Sequence, residues 1–223
     1  MQHATIGRSF LLAHQIAKGQ NCYPTETALV MVKFSNFQML NSDATNTTHD
    51  LFDSSVRQRS SFTAFATTWM AFNGWMEAVT DEATDAAMLS ALGESRRIMK
   101  AYDELLESSS QFRHQVMTFA EMWPVANVRD LRRKLGRDAF VRLSSGELLQ
   151  ECLAKEVKFQ PVGWSDGDTP TWPQLLRTIY AIRCNMFHGS KSPYQTRDRD
   201  LVRHAERVLR TFIEETRCFD WHD

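Results

Sequence analysis

Phe62, Phe65, Trp69, Phe72 and Met76 recur at three- and four-residue intervals, which predicts a helix over 62–79 with one apolar stripe. Thr63, Thr67, Thr68, Asn73 and Glu77 interrupt the same stretch, so it suits a buried core and not a membrane. A second strong pattern starts near Thr171, with Pro173 fitted to a first helical turn. It passes through Leu175, Leu176, Ile179, Ile182 and Met186 and stops at Gly189, a residue suited to the position just past a helix end. Asp198 then opens a last helix. Leu201, Val202, Ala205, Val208, Leu209, Phe212 and Ile213 form its apolar face, with Arg203, Arg207 and Arg210 elsewhere on its surface.

The remaining elements are weaker. Amphipathic segments at 5–18 and 25–40 are separated by Gly19 and Pro24. Residues 41–61 are rich in Ser, Thr, Asp and Asn and read as a loop or partly ordered linker. A helix is expected after Thr80-Asp81, interrupted near Gly93 and resuming to Glu107. Ser108 to Ser110 cap another that runs to Trp123 and is stopped by Pro124. Short helices are predicted over 128–135 and 146–156, and a loop over 159–171. The organisation predicted is N-terminal helices and a polar loop over 1–61, then a helical core over 62–223, together one compact domain.

Composition agrees with this picture. Ala, Leu and Met together number 49 against 18 Val plus Ile, and nine Gly and six Pro are few for 223 residues. That balance favours helix over strand and excludes a turn-dense β fold, so the expectation is all-α. A net charge of −1 does not announce a nucleic-acid binder. The charge is uneven, however. Residues 129–142 carry six bases and two acids, and 191–210 carry six bases and three acids, runs that taken alone read as solvated helix faces. Four cysteines without CxxC spacing argue against a disulfide framework or a zinc site. Arg8 precedes only a short apolar patch, with no small-residue cleavage site after it, so the reading is cytoplasmic with no membrane association.

Glycine-rich phosphate loops, dinucleotide fingerprints, HExxH and GxSxG are all absent. Asp166-Gly167-Asp168 is only a fragment of a calcium loop and reads as turn chemistry. The segment Ile182-Arg183-Cys184-Asn185-Met186-Phe187-His188-Gly189 differs from these, because it ends a strongly apolar helix with polar groups. Arg183 shares a helical row with Leu176, Tyr180 and Phe187, so its stem is expected to be partly buried. On an ideal helix Arg183 and His188 lie roughly 140° apart and about 7.5 Å along the axis, a gap that a long Arg side chain narrows. Spacing alone is equally met by an Arg and a His that complement the helix dipole before a Gly stop.

The stretch Ile179-Tyr180-Ala181-Ile182-Arg183-Cys184-Asn185-Met186-Phe187-His188-Gly189 resembles the signature of HEPN domains: Arg, four to six residues, then His at the end of a long helix. Trp69-Met70-Ala71-Phe72-Asn73-Gly74-Trp75 is similar to the early core helix of several HEPN branches, and the order of elements from 62 to 219 agrees. The resemblance implies a HEPN-like helical bundle and a metal-independent endoribonuclease without cofactor, with Arg183 and His188 catalytic. It further implies a homodimer with a composite active site, a regulatory or antitoxin protein, and a prokaryotic defence, toxin or stress setting. The family often has a polar residue directly after the Arg; here Cys184 takes that place and Asn185 follows.

The chemistry is coherent by itself. RNA carries its own nucleophile, the 2′-hydroxyl. His188 can take its proton or protonate the leaving 5′-oxygen, and Arg183 can bind the phosphate as charge grows on it. Products would be a 2′,3′-cyclic phosphate and a 5′-hydroxyl. Asn185, Lys191, Arg197, Arg199 and Arg203 are candidate substrate contacts. Asn73, Cys184 and Trp164 are candidate supporting residues, Trp164 as a stacking platform or as a core or dimer-contact side chain. Two other readings stand: a non-catalytic HEPN-like module that binds a nucleotide, nucleic acid or protein, and a purely structural helical dimer.

Overall fold

In the computed structural model, residues 32–187 and 194–223 are described. The chain divides into two compact units, Met1–Val30 and Met31–Asp223, and the first lies outside the described residues. The second is all-α. Its helices are α1 (Ser35–Gln38), α2 (Ser42–Val56), α3 (Ser61–Thr80), α4 (Asp85–Glu94), α5 (Arg96–Ser108), α6 (Ser110–Ala120), α7 (Val128–Leu135), α8 (Ala139–Arg142), α9 (Ser145–Ala154), α10 (Trp172–Phe187) and α11 (Thr196–Thr216). Two short strands, β1 (Val125–Ala126) and β2 (Phe159–Gln160), pair antiparallel with Val125 opposite Gln160 and Ala126 opposite Phe159. None of the described helices is long and apolar enough to cross a membrane.

The three strongest sequence patterns become the centre of the core. α3 packs against α2 and α11, α11 also against α5, α6 and α10, and α10 against α4 and α5. Trp69, Phe72, Trp75 and Met76 of α3, with Leu175, Leu176, Ile179 and Ile182 of α10, are fully enclosed. Trp172 opens α10 against this core: its ring stacks on Phe212 at 4.4 Å, and its indole N–H donates to the Leu92 carbonyl at 3.1 Å. Buried aromatic area of this kind is the main favourable term for the fold.

Three local expectations need correction. The polar stretch over 41–61 is no loop: most of it is α2. Asn41 caps the helix through Ala44 N–H at 2.8 Å, and Thr45, Thr47 and Thr48 turn their hydroxyls back onto carbonyls four residues earlier. Thr48, Leu51, Phe52 and Ser55 form its inward face, so tertiary packing on α3 overrides poor intrinsic propensity. The interruption between α4 and α5 falls at Ser95, whereas Gly93 is buried within α4. A Cβ on Gly93 would meet Pro173 at 3.6 Å, an ordinary packing distance, so α4 rests on the start of α10 there without requiring a glycine. α6 ends at Ala120, three residues before Trp123, and its N-cap is Ser109.

Between α6 and α10 the chain builds a smaller feature from β1, α7, α8, α9 and β2. Leu131, Ala139, Cys152 and Val157 form its own cluster, with Leu135, Leu143, Leu148 and Phe159 packed around them. α9 starts with a full capping box, in which Ser144 and Glu147 satisfy each other's backbone N–H groups.

Candidate functional site

α10 delivers Tyr180, Arg183, Cys184 and Asn185 to one side of an open cleft of about 780 Å³. Its other side comes from α7 and the turn after it, with Asn127, Arg129, Arg132, Arg133 and Arg137. Among the described residues, five arginines thus line one cleft and no acidic residue does. Positions 129, 132 and 133 fall on one face of α7, while Val128 and Leu131 are buried on the other. Gly136, at φ +88°, ends α7 in a conformation that a side chain would strain, and Arg137 follows it back to the cleft.

Polar fasteners hold the basic helix there. Asn127 caps α7 by accepting from Asp130 N–H at 3.0 Å, and its own N–H donates to Lys158 O at 2.8 Å. Asn185, reaching from α10, accepts from Val128 N–H at 3.0 Å and donates to Ala126 O at 2.8 Å. It grips the chain on both sides of Asn127 and satisfies a first-turn donor that α7 cannot satisfy itself. Asp130 is buried under the same helix. It accepts from Lys158 N–H at 2.9 Å and pairs with Arg133 at 2.5 Å and Lys134 at 3.5 Å. The Lys158 hydrogen bond and the two cations hold its carboxyl below the ordinary aspartate range despite its burial.

Arg183 is anchored from a third element. Asp85, the first residue of α4, accepts the Tyr180 hydroxyl at 3.2 Å and pairs with Arg183 Nη1 at 3.3 Å through the same oxygen. That carboxylate sits at the positive end of the α4 dipole, below which Thr84 caps the helix. The contact uses one corner of the guanidinium: Nε is buried without a partner, and the Arg183 side chain is 28% exposed. Its head lies 5.1 Å from the Phe187 ring centroid, and Nη1 is 4.0 Å from Cys184 Sγ. Burial raises the Tyr180 phenol above its usual range, with Asp85 adding to the effect, so it stays a neutral donor.

The sequence candidates separate accordingly. Arg183 and Cys184 border the cleft. Asn185 also borders it, but it is 3% exposed and both ends of its amide are bonded to backbone, which corrects the expectation of a substrate contact. Trp164 packs beside Trp123, ring centroids 5.3 Å apart, and its N–H donates to Asp168 O, so it is a structural side chain. Arg197, Arg199 and Arg203 are not among the residues lining the cleft, and Arg203 pairs with Asp200 at 2.9 Å. Asn73 is half-buried on α3, with Oδ1 lacking a partner, and does not line the cleft. His188 and Lys191 lie outside the described residues.

The arginines beside Arg183 come from 129–137, and not from the preferred run over 197–203. The available signal was the i, i+3, i+4 placing of Arg129, Arg132 and Arg133 opposite Val128, Leu131 and Leu135. No family model matches this chain, and no curated protein or solved structure does either.

Proposed function

We propose that this chain is a metal-independent endoribonuclease of the HEPN type, with Arg183 and His188 as its catalytic pair. The observation that carries this reading is the surroundings of Arg183: a partly exposed guanidinium in a cleft of about 780 Å³ shared with four other arginines. Such a cleft attracts a phosphodiester and stabilises charge developing on it. The Asp85 pair does not block this role, because a partly exposed ion pair contributes only about 0.2–1 kcal/mol and yields to a phosphate. Asp85 instead keeps the guanidinium from collapsing onto the helix end. His188, which follows Phe187 directly in sequence, supplies proton transfer near neutral pH. A second copy completes the site, covering Phe187, which is 52% exposed beside Arg183. Restraint by a partner protein belongs to the same proposal, since unrestrained RNA cleavage would harm the host.

The test is RNA cleavage in EDTA by wild type, His188→Ala and Arg183→Ala, with the 3′ ends analysed. Wild type is expected to leave 2′,3′-cyclic phosphates, and the His188 variant to lose activity by about 10²–10⁴-fold. Undiminished cleavage by both variants would sink the assignment. A second reading, nucleic-acid binding without cleavage, is favoured by the existing Asp85–Arg183 pair, which already gives the guanidinium a structural partner. It predicts RNA retention with intact strands.

A further inference from the structure

The five arginines of the cleft are not equivalent. Arg133 is tied to the buried Asp130 at 2.5 Å, and Arg183 to Asp85 at 3.3 Å. Among the described residues, Arg129, Arg132 and Arg137 make no ion pair and no acid lines the cleft to neutralise them. Asn127 and Asn185 nevertheless hold their helix rigidly in place, so three uncompensated cations are kept close together at a cost in mutual repulsion. A multivalent anion relieves that repulsion. Arg129 and Arg132 are one turn apart, about 4.5 Å along the helix axis, so their stems reach one phosphate or two adjacent ones. Planar guanidinium forks match phosphate oxygens in pairs, which a peptide carboxylate spaced along a flexible chain exploits less well.

The rest of the lining shows what is not recognised. Among the described residues lining the cleft, Tyr180 is the one aromatic, and its hydroxyl is held by Asp85. A wall of arginines with one tethered ring grips the sugar–phosphate backbone in preference to the bases. We infer that Arg129, Arg132 and Arg137 form a backbone-gripping track for a single-stranded nucleic acid, which binds without sequence preference and is led by α7 toward Arg183. Arg133 differs from these three in sharing the buried Asp130 with Lys134. This rests on the cleft being the nucleic-acid site of the proposed nuclease.

Counterion release tests it without any chemistry. A short fluorescein-labelled 2′-O-methyl oligouridylate, which lacks the reactive hydroxyl, is titrated with the full-length protein over a range of salt. For single strands each phosphate neutralised contributes about −0.7 to the slope of log K against log salt, so three arginines contribute about −2. Arg129→Gln, Arg132→Gln and Arg137→Gln are each expected to make the slope shallower by about 0.7, while Arg59→Gln, exposed and not among the residues lining the cleft, leaves it unchanged. An oligoadenylate of equal length is expected to bind equally, and poly-glutamate of matched charge to compete poorly. Slopes unmoved in the three track variants, an equal change in Arg59→Gln, or efficient displacement by poly-glutamate would each overturn the track. So would the absence of binding at low salt. Loss of cleavage in the nuclease assay with these slopes intact removes the catalytic reading alone. Cleavage with flat slopes removes the track alone.

Discussion

The helical core and the smaller α7–α9 feature solve the same problem of burial by different means. The core encloses Trp69, Trp75, Trp172 and a series of phenylalanines between long amphipathic helices. The smaller feature has a separate cluster of only four buried residues and relies on Asn127, Asp130, Asn185 and a capping box to stay in register. Hydrophobic burial is non-directional and scales with area, so the core tolerates local imperfection. A small element has no such reserve, and directional hydrogen bonds must place it. The cleft lies at the seam, with the well-packed α10 on one side and the polar-fastened α7 on the other. A well-packed wall thus holds Arg183, while the other four arginines of the cleft are carried by the region with the smaller core.

Substitutions can break this contrast, and the largest effect is expected in the core. Trp172→Ala removes a stacked ring and a buried hydrogen bond and should cost about 3–5 kcal/mol in global stability by denaturant unfolding. Asn185→Ala orphans Val128 N–H and Ala126 O and should cost about 2–4 kcal/mol. Its signature is local: hydrogen exchange should accelerate across 125–160 while α3 and α11 stay protected. Equal acceleration everywhere would mean that the two regions form one cooperative unit.

Smaller effects sharpen the same comparison. The ionised Asp130 carboxylate is favoured in the folded state, so its folded titration lies below the unfolded value, near 3.8. Its contribution is therefore present above that pH and falls away as pH drops through the folded value. Exchange protection of α7 is expected to decline on acidification through that window, and Asp130→Asn should flatten the decline. Asn41→Ala, which removes one exposed cap from α2, should cost about 1 kcal/mol in thermal unfolding and leave the cleft unaltered.

How legible each part was follows from the forces that form it. α3, α10 and α11 were readable because their apolar residues repeat at helical spacing and that repeat is what packs them. α2 was not, because its inward face of Thr48, Leu51, Phe52 and Ser55 is too polar to stand out until α3 lies against it. Gly93 looked like a break, but it lies buried inside α4, packed beside Pro173 of another helix. In the site, Arg183 and Cys184 could be picked from one segment, whereas Asn185 had the right position and the wrong role, since its partners are backbone groups 57 and 59 residues away.

By itself the sequence determined an all-α chain, the three central helices and an arginine near the end of the late helix, because periodicity and propensity are local properties. It also determined that 129–142 and 191–210 are basic. Only the tertiary structure decided which of those runs meets Arg183, and that Asp85 from a distant helix would hold it. The reason is physical: charge is written at each position, but a binding site depends on distances between charges, and here two asparagines and one carboxylate set those distances across the fold.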